Sequence, residues 1–355
     1  MRRRLIALRR VGVIHVVAVV GTVFASAVPA AADPARPTNY QSQILSVRPA
    51  LPSGVDLSVG GGDAFLELRV RGNHTVIVAD YTSGAGRIPR PYLRFLPNGT
   101  VERNDHAAAT AANESRYGTA SSTKTISDRP EWTVVARDGR YVWHDHRIHW
   151  MLPRAPTAVD ANGRVDLGGK TGTWTVHLDV NGRPSEVRGE LLLLTPPSAG
   201  PWLGLLLLGA AGFVGYGLIR FRNGANPPYR AVALALMLVG VLATLVGWAQ
   251  WHSTPPGAGG NLLSVAVPAV GLLMATAAAA VATARTQLMC LAASSAALGG
   301  WAFLRREALV RAVLPTSLPF AIDRAGTALA LGAALGTASL LIWRPPTERN
   351  LTRPG

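Results

Sequence analysis

The chain has 355 residues, a formal charge of +15 from 35 basic and 20 acidic side chains, and a single cysteine, Cys290. One cysteine excludes a disulfide framework or a thiolate cluster within one chain. The charge excludes a nucleic-acid footprint by its distribution: residues 1–32 hold five Arg and no acid, residues 33–199 net only +2, and residues 200–355 net +8 beside apolar runs, where membrane topology places arginine.

The N-terminus reads "MRRRLIALRR", then an apolar run to Val28, then "PAAAD". A basic start, a hydrophobic stretch and small residues at Ala30 and Ala32 predict a secretory signal peptide cut before Asp33, the alternative being that the apolar run stays as an uncleaved anchor.

Residues 33–199 follow as a domain of short runs rich in Val, Leu and aromatics: "VDLSV", "AFLELRV", "HTVIVADY", "PYLRFL", "TVER", "WTVVA", "RYVWHDHRIHWM", "TWTVHLDV" and "VRGELLLL". Gly, Asn and Pro turns divide them, which predicts an all-β, sandwich-like domain. "LPNGTV" and "DVNGRP" are hairpin signals, because Asn-Gly tolerates positive φ. Residues 104–130 lack the pattern and read as a loop insertion. "GGGD" (60–63) joins two strands and opens no helix, so it is a turn rather than a phosphate cradle.

"YVWHDHRIHWM" (141–151) concentrates three of the chain's eight histidines. Read as a continuous strand, it puts His144 and His146 on one face and His149 with Met151 on the other. Histidines at i and i+2 can aim two imidazoles at one ion, and nitrogen plus thioether is the soft pairing suited to copper. A site using His144, His146 and His149 together requires a bend after Arg147. Further ligands would come from His177 in "TWTVHLDV" or His106 in the insertion. Copper, or else zinc, is the cofactor such a site would hold, and binding of an organic ligand or a partner is an alternative use of the same stretch. The competing reading is architectural, with polar residues bonding at a sheet edge and the tryptophans in the core. No G-x-S-x-G, H-E-x-x-H, Walker or C-x-x-C motif is present, and no enzymatic activity is expected.

"TPPSAGP" (195–201) is a stiff joint to the second half, residues 200–345, an α-helical transmembrane bundle with spans near 201–219, 231–249, 263–283, 287–304 and 325–343. The positive-inside rule puts the β domain outside the cell membrane, with "RFRNGANPPYR" (220–230) and the tail 346–355 in the cytoplasm. The loop 305–324 carries four Arg and two acids and would lie outside, as a short amphipathic helix on the membrane surface. Trp202, Trp248, Trp251 and Trp301 are expected at the outer interface, and Trp343 at the inner one. His252 reads as one more interface residue. No span has an ionisable group in its middle, which favours anchoring over transport. "GAALG" (332–336) and "AASSAALGG" (292–300) offer close-packing faces for helix association. The expected partners are membrane lipid and membrane or envelope proteins, not nucleic acid.

The strings "GGDAFLELRV", "PYLRFLPNGTVERN", "WHDHRIHWM" and "LPTSLPFAIDRA" resemble a group of actinobacterial exported multi-span membrane proteins that carry no activity to inherit. The hairpin "TWTVHLDVNGRPSEVRGELLL" more faintly resembles copper-resistance periplasmic β-sandwich proteins. In those an Asp-Gly-His turn supplies a copper ligand. Here the turn reads Asn181-Gly182-Arg183 and the mature start is Asp33, so that likeness implies a fold without its site. Metal handling outside the membrane and a structural or interaction module are the two functions the sequence supports.

Overall fold

A computed structural model of the chain describes residues 35–81, 90–113, 126–127, 129–152, 154–167, 172–222, 229–256 and 258–342. The expected leader, residues 114–125 and 128 of the 104–130 insertion, Trp343 and the tail lie outside these residues.

Among the described residues ten strands form the first half: β1 (Tyr40–Arg48), β2 (Val55–Gly60), β3 (Phe65–Val70), β4 (Val76–Ala79), β5 (Pro91–Phe95), β6 (Val101–Asn104), β7 (Trp132–Ala136), β8 (Arg140–Trp143), β9 (Thr173–Val180) and β10 (Arg183–Leu193), with one helical turn, α1 (Ala108–Ala112). They make two antiparallel sheets, one ordered β1-β10-β9-β4-β5-β6-β7 and one ordered β2-β3-β8. Period-2 patterning drives their association. In β9, Trp174, Val176, Leu178 and Val180 are buried while Thr173, Thr175, His177 and Asp179 are half-buried. The buried face meets Leu66, Leu68 and Val70 of β3 in one shared core. The β9–β10 hairpin turns at Asn181 (φ 55°) and Gly182 (φ 79°), the conformation that an Asn-Gly pair accommodates.

Strand β1 is absent from the sequence expectation, and its composition explains why. "YQSQILSVR" is an edge strand whose register shifts between Ile44 and Ser46, so it has no clean apolar alternation. Its buried Ser42 is secured by the Trp174 indole, which donates to the hydroxyl at 2.7 Å.

The second half contains α2 (Gly200–Arg222), α3 (Tyr229–Ser253), α4 (Leu263–Ala280), α5 (Ala284–Leu304) and α6 (Phe320–Ile342). All five are long and apolar enough to cross a membrane. The small-residue faces are used within the chain. A Cβ on Gly332 would stand 2.3 Å from the Leu206 carbonyl oxygen, and one on Gly336 would stand 2.7 Å from that of Ala210, so α6 lies directly against α2. Ser294 and Ser295 of α5 donate to the carbonyls of Gly271 and Ala334, each at 2.8 Å. Outward-facing Leu208, Leu238 and Leu273 give the bundle an apolar exterior, as lipid contact requires.

The segment 305–319 differs from expectation. It is no surface helix but a 3-10 turn (Arg306–Leu309) followed by irregular chain, with Ala308, Leu309, Val313 and Leu314 buried. Two of the four arginines of 305–324, Arg305 and Arg324, turn inward because acceptors are available there, while Arg306 stays exposed. Arg305 donates to both Asp323 oxygens at 2.7 and 2.8 Å. Arg324 donates to the carbonyls of Ala308, Arg311 and Ala312, holding the segment over the helix ends. Trp301 is also turned inward: it is buried and donates to the Ser264 carbonyl at 2.9 Å.

This segment joins the two halves. Thr38 and Val313 exchange backbone hydrogen bonds of 3.0 and 2.8 Å, and the Ala312 amide donates to the Asn39 side chain at 3.0 Å. Beside them, Ala35, Ala64, Phe65 and Val142 of the β half enclose a small apolar cluster with Ala258 from the α3–α4 loop. The β domain is docked on the bundle, not merely tethered by its linker.

Candidate metal centre

Strand β8 ends at Trp143, so the expected continuous strand over 141–151 is not formed. The cause is Asp145. Its backbone carbonyl accepts the Ile148 amide at 3.2 Å, and its side chain accepts the Arg147 amide at 3.0 Å, an Asx-type turn. The same carboxylate receives the Trp143 indole at 2.8 Å and the Arg147 guanidinium at 2.8 and 2.6 Å. Arg147 also lies over the Tyr81 ring, 4.9 Å from its centroid. Burial acts to raise the Asp145 pKa, but the charge and hydrogen bonds of Arg147, with the Trp143 indole, outweigh it and hold the carboxyl below the ordinary carboxylate range. Burial and the Asp145 charge push the Tyr81 hydroxyl well above its usual value, so it stays a neutral O–H. That oxygen accepts the His146 amide at 2.9 Å.

The turn reverses the chain and brings His144, His146 and His149 together. One ring nitrogen from each lies within 4.8 Å of the others. The ring centroids of His144 and His149 are 4.3 Å apart, and that of His146 lies 5.7 and 5.2 Å from theirs. A tetrahedral ion with bonds of about 2.0–2.1 Å sets its nitrogens roughly 3.3 Å apart, so the three stand at most about 1.5 Å wider than such an ion requires.

The tautomers suit such an ion. His144 Nδ1 stands 2.7 Å from the Ala64 carbonyl and His149 Nδ1 stands 3.0 Å from the Asp145 carbonyl. A carbonyl only accepts, so each Nδ1 carries the proton and each Nε2 carries the lone pair. Backbone carbonyls behind ligating imidazoles are the usual orienting groups of metal sites. His144 and His149 are buried while His146 is half-buried, so the approach from solvent runs past His146.

The other expected ligands stand apart from this group or beside it. His177 lies on β9, on the face away from the shared core, and is paired in register with Glu186. His106 is engaged elsewhere, with Nδ1 2.8 Å from the Arg129 carbonyl and Nε2 3.0 Å from Glu131. Met151 is half-buried two residues beyond His149. His252 is stacked on Trp248, with centroids 5.0 Å apart. Sequence reasoning missed the supporting residues, Tyr81 and Ala64. The turn itself had a signal, an Asp flanked by histidines inside an otherwise strand-like run.

No known protein family, curated protein or solved structure matches the chain.

Proposed function

We propose that this protein binds a transition metal ion, copper or zinc, in a β domain held outside the cell membrane by five spans. The convergence of His144, His146 and His149 carries this reading. Imidazole suits copper and zinc alike, and no carboxylate or cysteine joins the group among the described residues. The placement outside is supported by charge. Exposed Arg220, Arg222, Arg230 and Arg285 collect at the bundle end away from the β domain. At the β-domain end Arg305, Arg306, Arg311 and Arg324 stand against Glu307 and Asp323, with Arg305 paired to Asp323 and Arg311 to Glu307, so less positive charge is left uncompensated there.

The role is metal handling rather than hydrolysis. The carboxylate nearest the triad in sequence, Asp145, is saturated by Arg147 and Trp143 and kept ionised at low pKa, a poor general base. The competing role, recruitment of partner helices through small residues, draws no support from Gly332 and Gly336, which pack inside the chain.

Titration of Zn(II), Cu(II) and Cu(I) into the full chain in non-ionic detergent tests this reading. Stoichiometric binding is expected, lost in a folded His144→Ala/His146→Ala/His149→Ala variant. Weak binding of equal strength by both proteins would overturn it.

A further inference from the structure

A second site, independent of the histidines, lies where the β domain meets the bundle. A cavity of 420 Å³ opens between the N-terminal segment and the bundle end formed by the last turns of α3 and α5 and the first turns of α4. Its polar lining includes Arg36, Gln250, Asn261, Arg305, Arg306 and Glu307. Leu263, Val267, Leu304 and Leu314 belong to its apolar lining, and Leu304 is 63% exposed on the bundle flank. The cavity is thus basic toward the β domain and apolar toward the spans.

Its bonding potential is only partly used. Arg305 binds Asp323 through Nη2, yet its buried Nε has no hydrogen-bond partner among the described residues, and neither has the buried Gln250 Oε1. A buried donor and a buried acceptor left together cost about 1–3 kcal/mol each unless something fills both needs. Arg306 gives one bond, from Nη1 to the Phe303 carbonyl at 3.1 Å, and keeps its remaining donors. Glu307 is turned toward Arg311 at 3.7 Å. Arg36 and Arg306, beside an Arg305 whose charge Asp323 balances and a Glu307 that faces Arg311, call for an anion, the Gln250 oxygen calls for a hydroxyl donor, and the leucine side calls for hydrocarbon.

We infer that this cavity binds a phosphoryl anion carrying a hydroxyl group, and that its source is the headgroup of an anionic lipid at the membrane boundary. Arg36, Arg305 and Arg306 would meet the phosphate oxygens, where guanidinium donors form their strongest bonds. Gln250 would accept from the headgroup hydroxyl.

The test uses the full chain in non-ionic detergent, with native mass spectrometry and thermal unfolding as readouts. The probes are phosphatidylglycerol, phosphatidylcholine, glycerol 3-phosphate and inorganic phosphate. Phosphatidylglycerol should be retained about tenfold better than phosphatidylcholine, and Arg36→Gln/Arg306→Gln should remove that preference, since each charge-assisted bond is worth about tenfold or more. Arg305 is left intact because it also holds Asp323. Glu307→Gln, which removes the one acid of the lining, should raise retention, a gain that misfolding cannot mimic. If glycerol 3-phosphate or inorganic phosphate stabilises the protein as strongly as the lipid, the same site takes a soluble phosphoryl ligand and the lipid source is overturned. Equal retention of the two lipids with no effect of the soluble probes, or a double variant that retains phosphatidylglycerol like the parent, overturns the site.

Discussion

His144 and His149 stand with ring centroids 4.3 Å apart and planes inclined by 39°, although an odd separation along one strand would put them on opposite faces. Both are buried, and both have Nδ1 against a backbone carbonyl. His146 is the half-buried member of the group.

This asymmetry separates binding from folding. His146→Ala should abolish stoichiometric metal binding while changing stability by less than about 1 kcal/mol. His149→Ala should lose binding and also cost about 1–3 kcal/mol, because it empties a buried, hydrogen-bonded position. Calorimetric titration paired with chemical unfolding of both variants measures the split. Equal destabilisation by the two would show that His146 is structural.

Asp145 is a positioning residue whose loss should be felt at the metal. Asp145→Asn leaves the Arg147 guanidinium without its counter-charge, and breaking a buried pair costs about 3–5 kcal/mol. Loss of the support that orients ligands weakens a site by about 10–100-fold, so affinity should fall by that range in whatever fraction stays folded. Arg147→Lys, which keeps the charge, should be milder in both respects.

Acid should act in two separate windows. Ion and proton compete for imidazole lone pairs, so binding should weaken as acidification protonates the imidazoles, which hold protons more tightly than carboxylates do. Asp145 has a lowered pKa, so its stabilising contribution is complete above the unfolded value near about 4 and is lost only as pH falls further toward the folded one. Metal release should therefore precede acid unfolding of the β domain. Parallel titrations by metal release and far-UV circular dichroism check the order, and coincident transitions would refute it.

Helix contact in the bundle rests on absent side chains. Gly332→Leu should force α2 and α6 apart, since even a Cβ there would meet the Leu206 carbonyl at 2.3 Å. Overpacking costs typically about 1–3 kcal/mol or more, read as a lower thermal midpoint in detergent. Gly204, whose Cβ would meet nothing within 4 Å, is the control: Gly204→Leu should be neutral or better.

Docking of the β domain depends on the paired amides of Thr38 and Val313. Val313→Pro removes the N–H that donates to Thr38, because proline has none, so amide hydrogen exchange over residues 35–40 should quicken while β9 and β10 remain protected. Unchanged protection at 35–40 would place the docking strength in the apolar cluster around Ala258.

By itself the sequence determined what depends on period and run length. Alternation in "TWTVHLDV" specified a strand with Trp174 and Val176 inward, Asn181-Gly182 specified a hairpin, and twenty-residue apolar runs specified five helices, because burial of a repeating face follows directly from spacing. The exposure of the edge hid β1, whose Gln41 and Gln43 break the pattern. Tertiary structure decided the rest, where distant groups compete for the same atoms. Arg147 and Trp143 converge on Asp145, and the resulting turn gathers three histidines that strand periodicity keeps apart. In the same way, Asp323 and the carbonyls of residues 308–312 draw Arg305 and Arg324 inward from the surface that composition alone suggests. A buried charge goes to its partner, and only the folded chain determines where that partner stands.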